Sequence, residues 1–362
     1  METTFRDIGV DFHSDKFTAD FFDGQKHNQR TYLLSERQQF YSELRKTDSF
    51  TIETLTGSFN FVREMKNLVS TCNIVNPSKL NISSVNRNKT DSIDARYLAE
   101  VSRISRMHVN DCLARVYLVS PIISELRSLF GMMTNMRETI TAQKNRIHCL
   151  LKENLMPHNG KEICSCKIRK KILALSLPEA YMFEIRMHYD ILDMYKKQKE
   201  ALEVKIKTYV RHFPKQTRRI VTIPGMSVLT ALAIIAEYGG DLDRFSDYKR
   251  FCSYLGTAPL ISESNGQTKI RHVNKASRRM ALGLVLQGIH HTWKDNSQIA
   301  QYRSRKKSLG MGNGKLRVAI ARKLFETIYF MLKKDEDYRY KEPRNTERKI
   351  KEIEKYERLT TT

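Results

Sequence analysis

The chain has 362 residues, length enough for two or three domains, and 40% of them are hydrophobic, which supplies a core and excludes a disordered chain. Lys and Arg number 63 against 40 Asp and Glu, a formal net charge of +23 that calls for a polyanion, of which nucleic acid is the commonest. A membrane surface is the rival partner, but no apolar run approaches the ~18 residues of a membrane span and no signal-peptide pattern opens the chain, so a soluble, intracellular protein is expected.

From the N-terminus the pattern is strand, turn, strand. Asp7-Ile8-Gly9-Val10-Asp11-Phe12 alternates and is rich in β-formers, and residues 16–22 follow before the turn Asp23-Gly24, so a hairpin is predicted. A polar connection leads to a helix over 34–46. Ser49-Phe50-Thr51-Ile52-Glu53 then reads as a third strand that ends on a carboxylate. Residues 59–68 have helical spacing, and 72–75 form a short strand stopped by Asn76-Pro77. Strands alternating with helices after a hairpin predict an α/β layer with a mixed sheet.

Next comes Lys89-Thr90-Asp91-Ser92-Ile93-Asp94-Ala95-Arg96, which sets two carboxylates three residues apart at a helix start. That spacing puts both on one face. Thr90 or Asp91 caps the helix, and Ile93, Ala95, Leu98, Ala99 and Val101 carry it toward Arg103. Asp11 and Glu53 each end a strand, and strand ends of an open α/β sheet face a shared crevice. The four acids Asp11, Glu53, Asp91 and Asp94 can therefore converge. Packed carboxylates repel unless divalent cations sit among them, and all-oxygen ligands select Mg²⁺ or Mn²⁺. Two such ions roughly 4 Å apart serve in-line attack on phosphodiesters. Spacing alone leaves the plainer reading open, in which Asp11 ends a strand, Glu53 faces solvent and the helical pair is decoration.

Beyond Pro121 the apolar positions Ile122, Leu126, Leu129, Met133, Met136, Ile140, Ile147 and Leu150 alternate four and three, with Gln143 breaking the seam. This is a coiled-coil heptad, opened by Pro121 and closed by Pro157. A second seam runs Leu192, Tyr195, Leu202, Ile206, Tyr209, with Lys199 at one position. The two helices either pack antiparallel or join a second subunit. Lys167, Arg169, Lys170 and Lys171 cluster at the tip between them, as a phosphate-binding patch or a solvated charge run. The six cysteines are scattered except for Cys164-Ser165-Cys166, and no second pair follows at zinc-finger spacing, so reduced thiols are expected.

The third segment opens at Thr222-Ile223-Pro224-Gly225-Met226. An apolar helix over 228–238 is ended by Gly239-Gly240, and a second over 247–254 is closed by Gly256. Residues 258–269 read as a polar loop, after which Arg271, His272, Lys275, Arg278 and Arg279 crowd one stretch. A serine in such a loop, beside cationic groups that neutralise a phosphate, suits phosphate chemistry. Arg303, Arg305, Lys306 and Lys307 form a further basic cluster. Gly310-Met311-Gly312-Asn313-Gly314-Lys315 lacks Walker spacing and reads as a hinge before a helix over 316–332. The charged tail from 333 onward reads as a mobile helix or a disordered segment.

The strand Ile8-Gly9-Val10-Asp11, the Glu53 segment ending in Thr56-Gly57, the Val75-Asn76-Pro77 strand end and, most specifically, Lys89-Thr90-Asp91-Ser92-Ile93-Asp94-Ala95 resemble the N-terminal domain of the DEDD-type insertion-sequence transposases and recombinases, the family of the Piv invertase and the bridge-RNA-guided recombinases. Ile223-Pro224-Gly225, Phe245-Ser246, Tyr254-Leu255-Gly256, Pro259, Ser264-Asn265-Gly266 and Lys275 through Arg279 resemble its C-terminal domain. There are departures: Glu53-Thr54-Leu55-Thr56-Gly57 carries one residue more than the family's Glu-x-Thr-Gly, and Asn265 stands where a Gly is usual.

The resemblance implies an RNase H-like (RuvC-like) DEDD domain over 1–118 and a coiled-coil arm over 119–212. It implies a mostly α-helical C-terminal transposase domain over 213–334 and leaves a charged tail over 335–362. It implies Mg²⁺ or Mn²⁺ held by Asp11, Glu53, Asp91 and Asp94, with Ser264 as nucleophile and Ser262 as the fallback. Lys167, Arg169, Lys170, Lys171, Lys269, Arg271, Lys275, Arg278, Arg279, Arg303, Arg305, Lys306 and Lys307 are the expected nucleic-acid contacts. The expected partners are DNA (element ends and target), a structured guide RNA and further copies in a homodimer or tetramer, with no membrane, in a nucleoid-associated setting in the cytoplasm. Because Asp94 and Ser264 lie 170 residues apart, they are expected to meet by folding or by a swap between subunits. The rival expectations are a RuvC-like nuclease that uses water and a non-enzymatic nucleic-acid-binding protein.

Overall fold

The computed structural model describes residues 5–76, 90–107, 115–156, 162–264, 267–273, 280–292 and 298–358, with the backbone alone for 260–264 and 267–273. These residues form two compact units divided after Leu118.

The N-terminal unit is built on a five-stranded sheet. Strands β1 (Asp7–Phe12), β2 (Lys16–Phe22) and β3 (His27–Leu33) form an antiparallel meander. After a 3-10 turn and helix α1 (Arg37–Glu43), strand β4 (Ser49–Glu53) pairs parallel with β1. Helix α2 (Ser58–Met65) leads to β5 (Thr71–Val75), parallel to β4. The order across the sheet is β3-β2-β1-β4-β5, mixed as the alternation of elements predicts. One strand was not expected: β3 lies within the stretch read as a polar connection. Its sequence His-Asn-Gln-Arg-Thr-Tyr-Leu is mostly exposed because it pairs on one side only, at the sheet edge, and so carries no apolar alternation.

One face of the sheet is sealed by aromatic rings. Phe17 meets Phe40 and Phe61 edge-on at centroid distances of 5.2 and 5.0 Å, and Phe12 meets Phe61 at 5.2 Å. Helix α3 (Asp91–Met107) covers β1 with Ala95, Leu98 and Ala99 buried. The close approach depends on Gly9, where a Cβ would stand 2.1 Å from Ala99 N and 2.2 Å from Ala95 O. Arg106, in the last turn of α3, pairs with the buried Asp7 at 2.7 Å, and Ser102 Oγ lies 2.8 Å from Ser49 Oγ on β4.

The second unit is helical apart from one hairpin. Pro121 occupies the first turn of α4 (Pro121–Glu153), capped by Ser120, whose Oγ accepts from Ile123 N. After α5 (Cys166–Leu173), α6 (Glu179–Lys207) returns alongside α4. Tyr181 donates to Glu153, His188 contacts Gln143 and Tyr209 donates to Glu125, a pairing of rising with falling residue numbers that makes the two helices antiparallel. The buried stripe of α4 is Ile123, Leu126, Phe130, Met133, Met136, Ile147, Leu150 and Leu151. It keeps Leu126, Met133, Met136, Ile147 and Leu150 of the predicted seam, while Ile123 and Phe130 are buried where Ile122 and Leu129 were expected and those two are only partly buried. Gln143, which breaks the seam, lies 2.6 Å from Nδ1 of the buried His188, so the polar position in one helix answers a polar position in the other.

The base of this pair shares a core with the helices that follow. A 3-10 turn leads to α7 (Pro214–Val221), then to α8 (Val228–Tyr238), every residue of which is buried. Helix α9 (Tyr248–Tyr254) precedes strands β6 (Pro259–Ser264) and β7 (Gln267–Val273), which pair antiparallel. The stretch read as a polar loop is therefore this hairpin. Its polar composition concealed strands that form a separate two-stranded sheet. Helices α10 (Met280–Thr292), α11 (Gln298–Ser308), α12 (Asn313–Lys334) and α13 (Pro343–Arg358) complete the unit.

The charged tail is also ordered differently from expectation. Ile353 and Tyr356 of α13 are buried, Lys349 Nζ donates to Val221 O at 2.9 Å, and Arg218–Glu357 and Lys207–Glu352 pairs tie the helix down. Two buried apolar residues and a few ion pairs thus anchor a helix whose composition is dominated by charge. Among the described residues no helix is long and apolar enough to cross a membrane.

Candidate functional site

Asp11 lies in β1, and its partner across the parallel pairing is β4, whose last residue is Glu53. Thr54 N donates to Val75 O and extends the ladder one step. Gly57 then takes φ 94 to open α2, and Glu53 stands at the end of β4 ahead of the turn 54–57. On the other side Thr90 Oγ1 accepts from Ile93 N at 3.3 Å and caps α3, setting Asp91 and Asp94 in its first turn. Asp11, Glu53, Asp91 and Asp94 line one cavity of about 770 Å³ together with Phe12, His13, Leu34 and Gly57. The four acids that the sequence singled out thus share a cleft inside the N-terminal unit.

Charge in the cleft is unevenly held. Burial pushes the Asp11 carboxyl above its ordinary range, and the neighbouring Asp94 and Asp91 push it further, while His13 pulls it back. Asp91 is held below the ordinary range, chiefly by the Lys16 ammonium 3.0 Å away and also by His13. His13 Nε2 lies 3.2 Å from Asp11 Oδ2 and 3.2 Å from Asp91 Oδ1. Asp11, His13 and Asp91 each present an atom within 4.8 Å of the other two, a set that could hold one metal ion.

The fit to a divalent cation rests on these contacts. The cleft gathers hard oxygen donors whose mutual repulsion a divalent cation would relieve, and the Lys16 ammonium and the His13 imidazole of the chain itself stand against the same oxygens. Sequence reasoning missed His13 and Lys16. The signal for His13 was available, because residues 11 and 13 of an extended segment point the same way.

Ser264 closes β6, opposite Gln267 of β7, while Asn265 and Gly266 lie outside the described residues. Lys269 and Arg271 belong to β7; Lys275, Arg278 and Arg279 lie outside the described residues. Lys167, Lys170 and Lys171 are exposed on α5. Arg169 is engaged instead, pairing with Asp193 at 2.6 Å and stacking over Tyr189. Arg303, Arg305, Lys306 and Lys307 all lie on α11, with Arg305 and Lys307 exposed and Lys306 over the Tyr302 ring.

Two family models match the chain. One, described as a transposase model of the DEDD type, covers residues 8–156 and so contains all four acids. The other, described as the transposase IS116/IS110/IS902 family, covers residues 217–303 and contains the β6–β7 hairpin. No curated protein matches the chain. With its acidic cleft inside the first match and its hairpin inside the second, the chain belongs to the DEDD-type IS110 family of transposases, proteins that cut and rejoin DNA.

Proposed function

We propose that the chain is a DNA transposase or site-specific recombinase that works through metal-binding acids on an RNase H-like (RuvC-like) sheet and a serine nucleophile. The observation that carries the reading is the convergence of Asp11, Glu53, Asp91 and Asp94 on one cavity at the end of a mixed sheet of order β3-β2-β1-β4-β5. Those four side chains would hold Mg²⁺ or Mn²⁺. When bound, such ions neutralise charge on a phosphate under attack and favour loss of a hydroxyl proton.

The chain's own groups supply the rest. Ser264 Oγ attacks a DNA phosphorus and loses its proton. The bond from phosphorus to a sugar oxygen breaks, and that oxygen leaves as a hydroxyl. The phosphoserine ester conserves the bond until a strand hydroxyl displaces the serine. Lys269 and Arg271 on β7, with Lys275, Arg278 and Arg279 after it, neutralise phosphate charge near the serine. The exposed lysines of α5 and the basic residues of α11 grip the duplex backbone, an interaction that weakens steeply with salt. Recombination engages two duplexes, which favours a homodimer or tetramer with α4 and α6 as a coiled-coil arm, and the family resemblance favours target choice by a structured RNA.

The test mixes the full chain, Mg²⁺, element-end DNA and flank-encoded RNA and looks for a covalent protein–DNA species on a denaturing gel. Ser264→Ala, Asp11→Ala and Asp91→Ala should each abolish it. Cutting that survives Ser264→Ala but not the aspartate changes would instead make the protein a nuclease that uses water. Salt-sensitive binding without nicking, indifferent to Mg²⁺, would leave a non-enzymatic nucleic-acid-binding protein.

A further inference from the structure

The acid cleft contains one donor that is neither an oxygen nor part of the acid set. His13 follows β1 directly, and its Nε2 stands 3.2 Å from both Asp11 Oδ2 and Asp91 Oδ1. Adjacent ligands of an octahedral ion, each about 2.1 Å from it, stand about 3 Å apart. The imidazole nitrogen is therefore at ligand spacing from two carboxylates at once. Its position is set by the fold: His13 N donates to Lys16 O at 2.9 Å to close the β1–β2 turn, while the Gly9 contact fixes α3, and with it Asp91, against β1. Lys16 Nζ holds Asp91 Oδ2 at 3.0 Å, which leaves Asp91 Oδ1, the atom facing His13, as the oxygen to offer. The imidazole is 42% exposed, so an ion can reach it from solvent.

We propose, resting on the divalent-cation reading of this cleft, that His13 is a metal ligand that biases the site toward first-row transition dications over Mg²⁺. Mg²⁺ takes oxygen donors and gives up water reluctantly, so an imidazole adds little to its binding. Co²⁺ stands above Mn²⁺ in affinity for nitrogen-containing sites, and both accept imidazole where Mg²⁺ does not. An all-carboxylate cleft would discriminate less between these ions. The proposal thus assigns to a single side chain the choice of ion, separate from the acids that attract any cation.

The experiment uses the full chain without nucleic acid. Affinities for Mg²⁺, Mn²⁺ and Co²⁺ are measured by titration calorimetry, and the Mn²⁺-loaded protein is examined by electron spin-echo spectroscopy for directly bonded nitrogen. The wild type should show the nitrogen signal. His13→Ala should lose it and weaken Co²⁺ and Mn²⁺ at least about tenfold, while Mg²⁺ stays within about twofold, which also reports an intact cleft. His13→Gln should hold Mg²⁺ normally and still lack the signal. Absence of the signal from the wild type, its persistence in His13→Ala, or parallel weakening of all three ions would overturn the proposal and make His13 a hydrogen-bonded bridge between carboxylates. Asp11→Asn and Asp91→Asn test the underlying reading separately: binding of all three ions should fall together, and unchanged binding would overturn the acid cleft itself.

Discussion

Among the described residues, environment separates the thiols into two chemical populations. Cys72 and Cys252 are each pushed up to about 12, since an apolar surround penalises the thiolate, whereas Cys149, Cys164 and Cys166 are exposed. The nucleophile is the thiolate, so at pH 8 iodoacetamide is expected to label Cys149, Cys164 and Cys166 within minutes. Cys72 and Cys252 should react only after denaturation, which peptide mass spectrometry would resolve. The same scale shows what the sequence can and cannot disclose. The grouping of Asp11, Asp91 and Asp94 was legible because two sit at an i,i+3 spacing behind a capping threonine and one lies next to the end of a β-rich strand. Lys16 was not, because its 3.0 Å contact with Asp91 joins residues 75 apart and depends on the sheet bringing β2 beside α3. The engagement of Arg169 by Asp193 and Tyr189 was hidden for the same reason.

Among the elements, α3 shows how a missing side chain can place a functional one. Gly9→Ala drives a methyl into the backbone of Ala95 and Ala99, which cannot yield as a flexible side chain would. A loss of about 3 kcal/mol or more is expected from overpacking of this kind, together with loss of Mn²⁺ binding as the acid turn moves away from β1. Gly131→Ala, on an exposed part of α4 with no atom near the added methyl, should instead stabilise by about 0.5–1 kcal/mol. Thermal unfolding of the two variants would show opposite signs. In the α4–α6 pair, Gln143→Leu completes an apolar seam yet removes the partner of Nδ1 of the buried His188, so a cost of about 1–3 kcal/mol is expected. Adding His188→Leu should recover most of it, and denaturant unfolding of the double-mutant cycle would measure the coupling. The helices were legible where apolar spacing, caps and glycine stops agree, as for α8. The β3 strand was not, because a polar strand at a sheet edge carries no apolar alternation, and the β6–β7 hairpin was hidden by its polar composition.

For the molecule as a whole, the positive charge coexists with a terminal helix that is fastened rather than free. Lys349 shows the energetics: burial lowers its pKa below the ordinary 10.5 while its ammonium donates to Val221 O. Between that lowered value and 10.5 the unfolded chain binds more protons than the folded one, so this residue's contribution to stability improves as pH rises through the window. The thermal midpoint of the wild type relative to Lys349→Met should therefore climb on the alkaline side, and a flat difference would discount the buried ammonium. Composition could not reveal this docking, because α13 reads as charge with only Ile353 and Tyr356 to bury. The division into an α/β unit and a helical unit was more readable, since the strand-rich alternation stops where the long heptad pattern starts.

The clamp at both ends of α3 carries an evolutionary consequence. Its first turn presents Asp91 and Asp94, its middle rests on Gly9, and its last turn is tethered to Asp7 by Arg106. One residue inserted between Asp94 and Ala99 would rotate everything upstream by about 100° against everything downstream, carrying both acids out of register with β1. A single-codon gain or loss inside the helix should therefore disturb the acid cleft far more than a side-chain exchange on its exposed face.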